Sequence, residues 1–378
     1  MNLRFFALLL SFAVTQAIAQ DPRPVPAAPI IGASSYLLID AATGHELAAL
    51  QPDNAVAPAS LTKLMTAYAV FKALAGGQVR LEDEVTISEN AWRTPGSRMF
   101  VEVGKRVSMH DLLLGMIVQS GNDASVALAE HVAGSESVFA ELMNQYAAAL
   151  GMRSSQFRNS TGLPDDNHYA TARDLATLAR AIINEFPEYY RWYSMREFTY
   201  NNIKQPNRNN LLWRDDSVDG MKTGHTDAAG YCLVASALRD DMRLISVVLG
   251  TSSAKARIDG TQALINYGFR FYETRLVFNA GVEIANSRIW KSANESTALG
   301  VLDDIYVTVP RGSYDSLKST LSIPAILEAP VAQGQPLGEI SISLRDDVLL
   351  REPLRALQDN PSGSFWQRTR DSVSLWFE

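Results

Sequence analysis

Helical periodicity runs along the chain as far as Tyr267-Gly268-Phe269-Arg270-Phe271 and then fades, and this change of texture limits the fold more than any other feature. Ahead of it, Leu61 to Leu74 carries apolar residues at 61, 64, 65, 68 and 71, the spacing of a helix buried on one face. Gly76-Gly77 stops it. Further helical stretches run from Met109 to Val118 and from Asp123 to Val132, the second ending near Gly134. Strands bracket them: Ser35 to Asp40 early, and later Tyr231 to Ala237 and Leu244 to Leu249, joined by the polar turn Arg239-Asp240-Asp241. Helices enclosed by strands that hairpin on each other predict an α+β domain over residues 33–275, a largely antiparallel sheet flanked by helices. Beyond it, Ile305-Tyr306-Val307-Thr308-Val309 and Ile340-Ser341-Ile342-Ser343-Leu344 are short β runs separated by turn formers such as Arg311-Gly312-Ser313. They predict a small all-β domain over 283–358, and a length of 378 residues suits about two domains.

The two ends carry different signals. Arg4, the apolar run Phe5 to Val14 and the small residues of Ala17-Ile18-Ala19 predict a secretory signal peptide, residues 1–19, cleaved before Gln20. The run is too short for a helix that needs about 20 residues to span a bilayer. Residues 20–32, rich in proline, read as an extended leader into the first strand. The whole chain has 34 Lys plus Arg and 41 Asp plus Glu, and removing Arg4 with the signal leaves 33 against 41, a net −8. That balance speaks against nucleic acid as a partner. One cysteine, Cys232, permits no intramolecular disulfide and sits in a run that reads as a core strand.

Three short motifs carry chemistry. In Ser60-Leu61-Thr62-Lys63, residues three apart on a helix share a face, so the Lys63 amine can reach the Ser60 hydroxyl. A serine is a poor nucleophile until a base takes its proton, and a lysine serves only when neutral, through burial or a neighbouring cation. Ser120-Gly121-Asn122 offers a hydroxyl that could relay a proton and an amide that could hold a substrate amide; the same residues also suit helix capping. Lys222-Thr223-Gly224, followed by His225, suits a carboxylate-ended peptide laid along a strand edge, with the glycine letting a substrate backbone approach. Chance copies exist at Ser252-Ser253-Ala254-Lys255 and Ser292-Ala293-Asn294. Neither copy keeps the motif order.

Ser-X-X-Lys, then Ser-X-Asn, then Lys-Thr-Gly, at 60, 120 and 222, is the arrangement of the penicillin-recognising serine enzymes. The surrounding PASLTKLMT, SGNDASVALAEHVAGSE, NSTGLP and DGMKTGHTDAAGY segments resemble the low-molecular-mass penicillin-binding proteins that are D-alanyl-D-alanine carboxypeptidases, serine peptidase family S11. The resemblance extends from about residue 30 to the end. It implies a β-lactamase/transpeptidase-like domain, with Ser60 as acylated nucleophile, Lys63 as proton acceptor and Ser120 as relay to the departing D-alanine. It further implies that Asn122 holds the peptide, that Lys222 and Thr223, helped by Arg257, meet the terminal carboxylate beside the substrate-binding Gly224, and that Ser60 and His225 supply the oxyanion-hole N–H groups. Arg257 resembles the family's arginine on the strand after the motif. The implied partners are the peptidoglycan pentapeptide, through its D-Ala-D-Ala end, and β-lactam antibiotics, and no metal or organic cofactor is implied.

Other classes fit less well. His45, His110, His131, His168 and His225 include no His-Glu-X-X-His pair, and no Gly-X-Ser-X-Gly elbow occurs. A class A β-lactamase would need a glutamate for its deacylating water; Glu197-Phe198-Thr199-Tyr200-Asn201 has the spacing but lies in an aromatic stretch that reads as a strand. A non-catalytic wall-binding protein would not need Lys63 beside Ser60. The tail, residues 361–378, places Phe365, Trp366, Val373, Trp376 and Phe377 on one helical arc. That pattern predicts an amphipathic helix on a membrane surface, or one docked on the β domain. With the family resemblance, it implies an exported periplasmic protein lying peripherally on the outer face of the inner membrane.

Overall fold

The computed structural model describes residues 24–376. The expected signal peptide and the last two tail residues, Phe377 among them, lie outside the described residues. Strands β1 (Ser35–Asp40), β2 (Glu46–Leu50), β3 (Val218–Thr226), β4 (Gly230–Arg239) and β5 (Met242–Thr251) form one antiparallel sheet in the order β2-β1-β5-β4-β3. The expected hairpin of β4 and β5 closes through Asp240 at φ 51°, a left-handed conformation that aspartate tolerates. Side chains alternate across the sheet: Leu37, Ile39, Cys232, Val234 and Val247 enter one apolar cluster, while Leu38, Leu233, Ala235 and Leu244 enter another. Both faces are therefore covered, which is why these strands read as nearly unbroken apolar runs.

The helix Ala172–Glu185 lies directly on the first face, and helices α1 (Lys63–Ala75), α2 (Met109–Val118) and α3 (Asn122–Ala133) share its apolar cluster. Ser108 caps α2 by accepting from Asp111 N–H, and Gly134 at φ 78° ends α3. Helix α4 (Ala254–Phe271) covers the second face with Leu264 and Ile265. The expectation that α1 buries one face needs correction: every residue from Lys63 to Phe71 is buried. Thr66, Ala67 and Ala69 are small enough for neighbouring elements to close over the second face. Lys63 is thereby carried into the interior, 1% exposed.

The leader is extended and docked, with Val25, Ala28 and Ile31 against the second cluster and Pro26 O accepting from Tyr267 Oη at 2.9 Å. Where α4 ends, strand Tyr272–Phe278 begins at once and pairs with Ile305–Pro310. The β part therefore opens at Tyr272, ahead of the 283 boundary expected, and 272–275 do not belong with the preceding domain. The sequence hides this strand because charged Glu273 and Arg275 follow an aromatic helix end. A second sheet, in the spatial order Ala285–Arg288, Ser296–Gly300, Asp347–Ala356, Pro336–Leu344 and Leu317–Ser322, has its own core of Leu299, Val307, Ile340, Ile342 and Leu354. Buried Asp40 ties the two parts, accepting from Thr43 Oγ1 at 2.9 Å and from Thr274 Oγ1 at 2.7 Å.

The tail forms a helix over Phe365–Ser374, started by a capping box between Ser364 and Gln367. Its acidic side faces inward, where buried Asp371 accepts from Lys291 N–H at 2.8 Å. Phe365, Trp366, Val373 and Trp376 are exposed.

Candidate active site

Ser60 lies in a 3-10 turn, Ala59–Thr62, that leads directly into α1. Ala59 is left-handed, φ 49°, a strained conformation for a residue with a Cβ and one that tends to mark functional sites. Lys63 Nζ donates to Ser60 Oγ at 3.0 Å, so the i, i+3 expectation is realised. The same amine donates to Asn122 Oδ1 and to Thr161 O, each at 2.6 Å. Burial lowers the Lys63 pKa to about 7, with Asp123 and Glu136 partly opposing the shift.

Asn122 comes to the same place through its bond to Lys63, with Ser120 two residues before it, and capping is the task of neither. Ser120 is buried with φ 68°, and α3 has Gly121 as its N-cap with no side-chain cap bond. Asn122 is held at both ends, since its Nδ2 donates to Pro95 O at 2.6 Å. Next to it, the Asp123 carboxylate accepts from the N–H groups of Met99, Phe100 and Val101 at 3.0, 3.0 and 3.3 Å. Those bonds fix the 94–101 loop as one wall of the site.

Lys222, Thr223 and Gly224 lie on β3, at the sheet edge beside the Ser60 turn. A Cβ at Gly224 would stand 3.0 Å from Pro58 O and 3.2 Å from Ala59 Cβ. The glycine thus lets β3 pass against the Ser60 turn, a reason different from the substrate approach expected of it. Lys222 is buried, and its pKa falls well below the usual range through burial and then the charges of Lys63, Arg208 and Arg257. His225 is exposed, its ring centroid 4.0 Å from that of Tyr231.

Arg257 is not on a strand. It sits in the first turn of α4, whose Ser253 caps the helix, and reaches back to Gly224 O at 3.2 Å. The chance copy at Ser252–Lys255 is simply this helix start, with Lys255 paired to Asp259. The copy at Ser292 lies in the β part, where Ser292 Oγ donates to Pro361 O. Glu197 is also removed from the chemistry, on a hairpin strand and ion-paired with Lys204 at 2.6 Å.

Sequence reasoning missed several participants. The carbonyl of Thr161 has no signature in a side chain. Asp123 directly follows the second motif, but its loop contacts have no signature in the sequence. Arg208 projects from a turn fixed by buried Asn207 and Asn209, the latter donating to Gly220 O at 2.9 Å. Its charge acts on both Lys222 and Arg257, so three basic side chains stand together at this edge of the sheet. This field suits a carboxylate.

A half-buried serine bonded to a buried lysine, a second serine two residues before the lysine's partner Asn122, and a basic strand edge against the same turn are the parts of an acyl-transfer site. The family model described as D-alanyl-D-alanine carboxypeptidase matches residues 23–253, and that of the penicillin-binding protein 5 C-terminal domain matches 272–362. The chain belongs to the D-alanyl-D-alanine carboxypeptidase family. It is 41% identical to the D-alanyl-D-alanine carboxypeptidase DacA of Escherichia coli (strain K12), over 93% of this chain and 90% of that one. Penicillin-binding protein 5 from Haemophilus influenzae matches with a TM-score of 0.86 and 42% identity, covering 89% of this chain and 100% of that one. The ampicillin-bound form of penicillin-binding protein D2 from Listeria monocytogenes matches with a TM-score of 0.59 and 30% identity, covering 63% of this chain and 98% of that one. The expected α+β domain followed by an all-β domain is therefore the architecture of this carboxypeptidase family.

Proposed function

We propose that this serine carboxypeptidase removes the terminal D-alanine of peptidoglycan pentapeptides through an acyl-enzyme on Ser60. Ser60 Oγ loses its proton to neutral Lys63 and bonds the penultimate D-alanine carbonyl carbon. The C–N bond then breaks, Ser120 passes a proton to the departing amine, and water hydrolyses the ester. Asn122 holds the peptide as well as Lys63. Lys222, Thr223, Arg257 and Arg208 face the terminal carboxylate, and the N–H groups of Ser60 and His225 receive the oxyanion. The observation that carries this reading is the 3.0 Å approach of Lys63 Nζ to Ser60 Oγ with an amine pKa near 7. β-Lactams imitate the scissile amide and trap the same ester. Intact mass and peptide mapping after penicillin treatment should find one adduct, on Ser60. No adduct, or one on another residue, overturns the assignment. A β-lactamase reading is weaker, because its candidate base Glu197 is ion-paired on a separate hairpin.

The carboxylate-binding role of Arg257 has its own test. Arg257→Ala should lower kcat/KM for a peptide ending in a free carboxylate by about 10–100-fold, the scale of a charged hydrogen bond. A peptide ending in an amide should lose far less. Equal losses would make Arg257 a structural residue only.

The division of labour along the chain follows the same reading: a signal peptide over 1–19, the peptidase up to α4, the β domain after it and a surface-seeking tail helix. Among the described residues, no helix is long and apolar enough to cross a membrane. The exposed aromatic side of the tail helix suits the lipid headgroup layer, with Asp371 turned to the protein. Deleting 361–378 should leave the peptidase active but move it from the membrane fraction to the soluble periplasm. Identical sedimentation of both forms with membranes would remove the anchor.

A further inference from the structure

The segment between residues 158 and 168 lies along the start of α1 and is fixed there one residue after another. Lys63 Nζ donates to Thr161 O at 2.6 Å, and Thr66 Oγ1 donates to Ser160 O at 2.7 Å. The remaining bond joins two side chains: His168 Nε2 lies 2.8 Å from Thr62 Oγ1. Thr62 is wholly buried and stands between the reacting Ser60 and Lys63. His168 is buried as well, its ring edge-on to Phe157 at 5.7 Å.

The direction of that bond follows from the other ring nitrogen. Arg158 N–H lies 3.4 Å from His168 Nδ1, and a backbone N–H can only donate. Nδ1 therefore accepts, the ring proton sits on Nε2, and Nε2–H donates to Thr62 Oγ1. A protonated ring would present N–H to N–H at Arg158. Burial lowers the His168 pKa to about 4, reinforced by the cations of Arg158 and Lys63 and opposed by Asp165. The neutral tautomer is thus the working form across the ordinary pH range.

We propose that His168 is a positioning residue for acylation, which through Thr62 sets the Ser60 turn and the Lys63 amine in register with the Thr161 carbonyl. The other two of these bonds end on backbone carbonyls, so among them it is the His168 bond that orients the Thr62 hydroxyl. This inference rests on Ser60 and Lys63 being the reacting pair. No residue of the three motifs points to it, because the partner lies 106 positions along the chain.

The test is a double-mutant cycle on the second-order rate of penicillin acylation, normalised to the folded, titratable fraction. His168→Leu should slow acylation by about 10-fold or more, since small misplacements at a reacting centre are costly. His168→Gln, whose amide can donate to Thr62 and accept from Arg158, should recover to within about 3-fold, the size of a weak hydrogen-bond difference. The isosteric Thr62→Val should slow the reaction similarly, and Thr62→Val with His168→Leu should be no slower than either alone. If folded His168→Leu acylates at the wild-type rate, or if the two losses multiply, the positioning role is wrong. Should His168→Leu fail to fold, His168→Gln and Thr62→Val still decide: a wild-type rate in Thr62→Val overturns the proposal. Absence of any adduct on the wild-type protein would instead overturn the Ser60 reading.

Discussion

Lys63→Ala is expected to lower the rate of acylation, by penicillin and by peptide alike, by about 10²–10⁴-fold, the usual worth of a positioned general base. In its neutral form the Lys63 amine has two N–H groups, which suit Asn122 Oδ1 and Thr161 O, and a lone pair left for the Ser60 hydroxyl 3.0 Å away. The sign of the pH dependence follows from the pKa. Burial stabilises the neutral amine, and Asp123 and Glu136 restore only part of the charge preference, which leaves the value at about 7. The acylation rate of the wild-type protein should therefore rise with pH through about 7, as protonated Lys63 gives way to the base form. The residual rate of Lys63→Ala should lose that step. Stopped-flow labelling with a fluorescent penicillin from pH 5 to pH 9, scaled to folded protein, measures both. A wild-type-like rate in the variant removes Lys63 from the chemistry, and a step that survives in Lys63→Ala reassigns the titration to another group. Lys222 is the alternative group, since its pKa also falls steeply.

How much of this was legible before the structure depends on whether the information lay in side-chain types or in the approach of distant backbone. Ser60, Lys63, Ser120, Asn122 and Lys222 announce themselves because the proposed chemistry needs those side chain types in that order, and the structure brings Ser60, Lys63 and Asn122 into one set of hydrogen bonds with the Lys222 strand alongside. The hairpin of β4 and β5 was equally plain, since two apolar runs flank Asp240-Asp241. Three things were not. The burial of α1 on all sides depends on elements far away in sequence closing over Thr66, Ala67 and Ala69. The place of Arg257 on a helix is hidden because its strand placement rests on the family resemblance alone, whereas Ser253 caps a helix that begins at Ala254. The start of the β part was set too late because Tyr272–Phe278 shows its partner only in three dimensions. Thr161 and Gly162 carry no chemistry in their side chain types, and their mechanical role comes from what lies against them.

Gly162→Ala makes that role measurable, and its effect should be large on stability and activity together. Gly162 has φ +81°, and a Cβ there would fall 1.8 Å from Ala59 O and 2.8 Å from Thr62 Oγ1. Neither neighbour can retreat freely: Ala59 is already left-handed, and Thr62 is tied to His168. On the other side, Gly162 N–H donates to Asn159 Oδ1 at 2.7 Å, which also accepts from Thr161 N–H. The clash must push apart the Ser60 turn and the Thr161 carbonyl that orients Lys63. Strain from the backbone conformation and from the overlap together should cost about 3 kcal/mol or more. Molecules that still fold should acylate about 10²-fold more slowly, because displacement acts on the reacting pair itself. Gly104 supplies the comparison, with φ +74° and nothing within 4 Å of its missing Cβ. Gly104→Ala should lose only about 1 kcal/mol, the cost of the dihedral angle, and keep the wild-type acylation rate. Urea unfolding with penicillin labelling separates the two. If Gly162→Ala behaves like Gly104→Ala on both measures, the close passage of the 159–163 segment over the Ser60 turn does not set the geometry of the nucleophile.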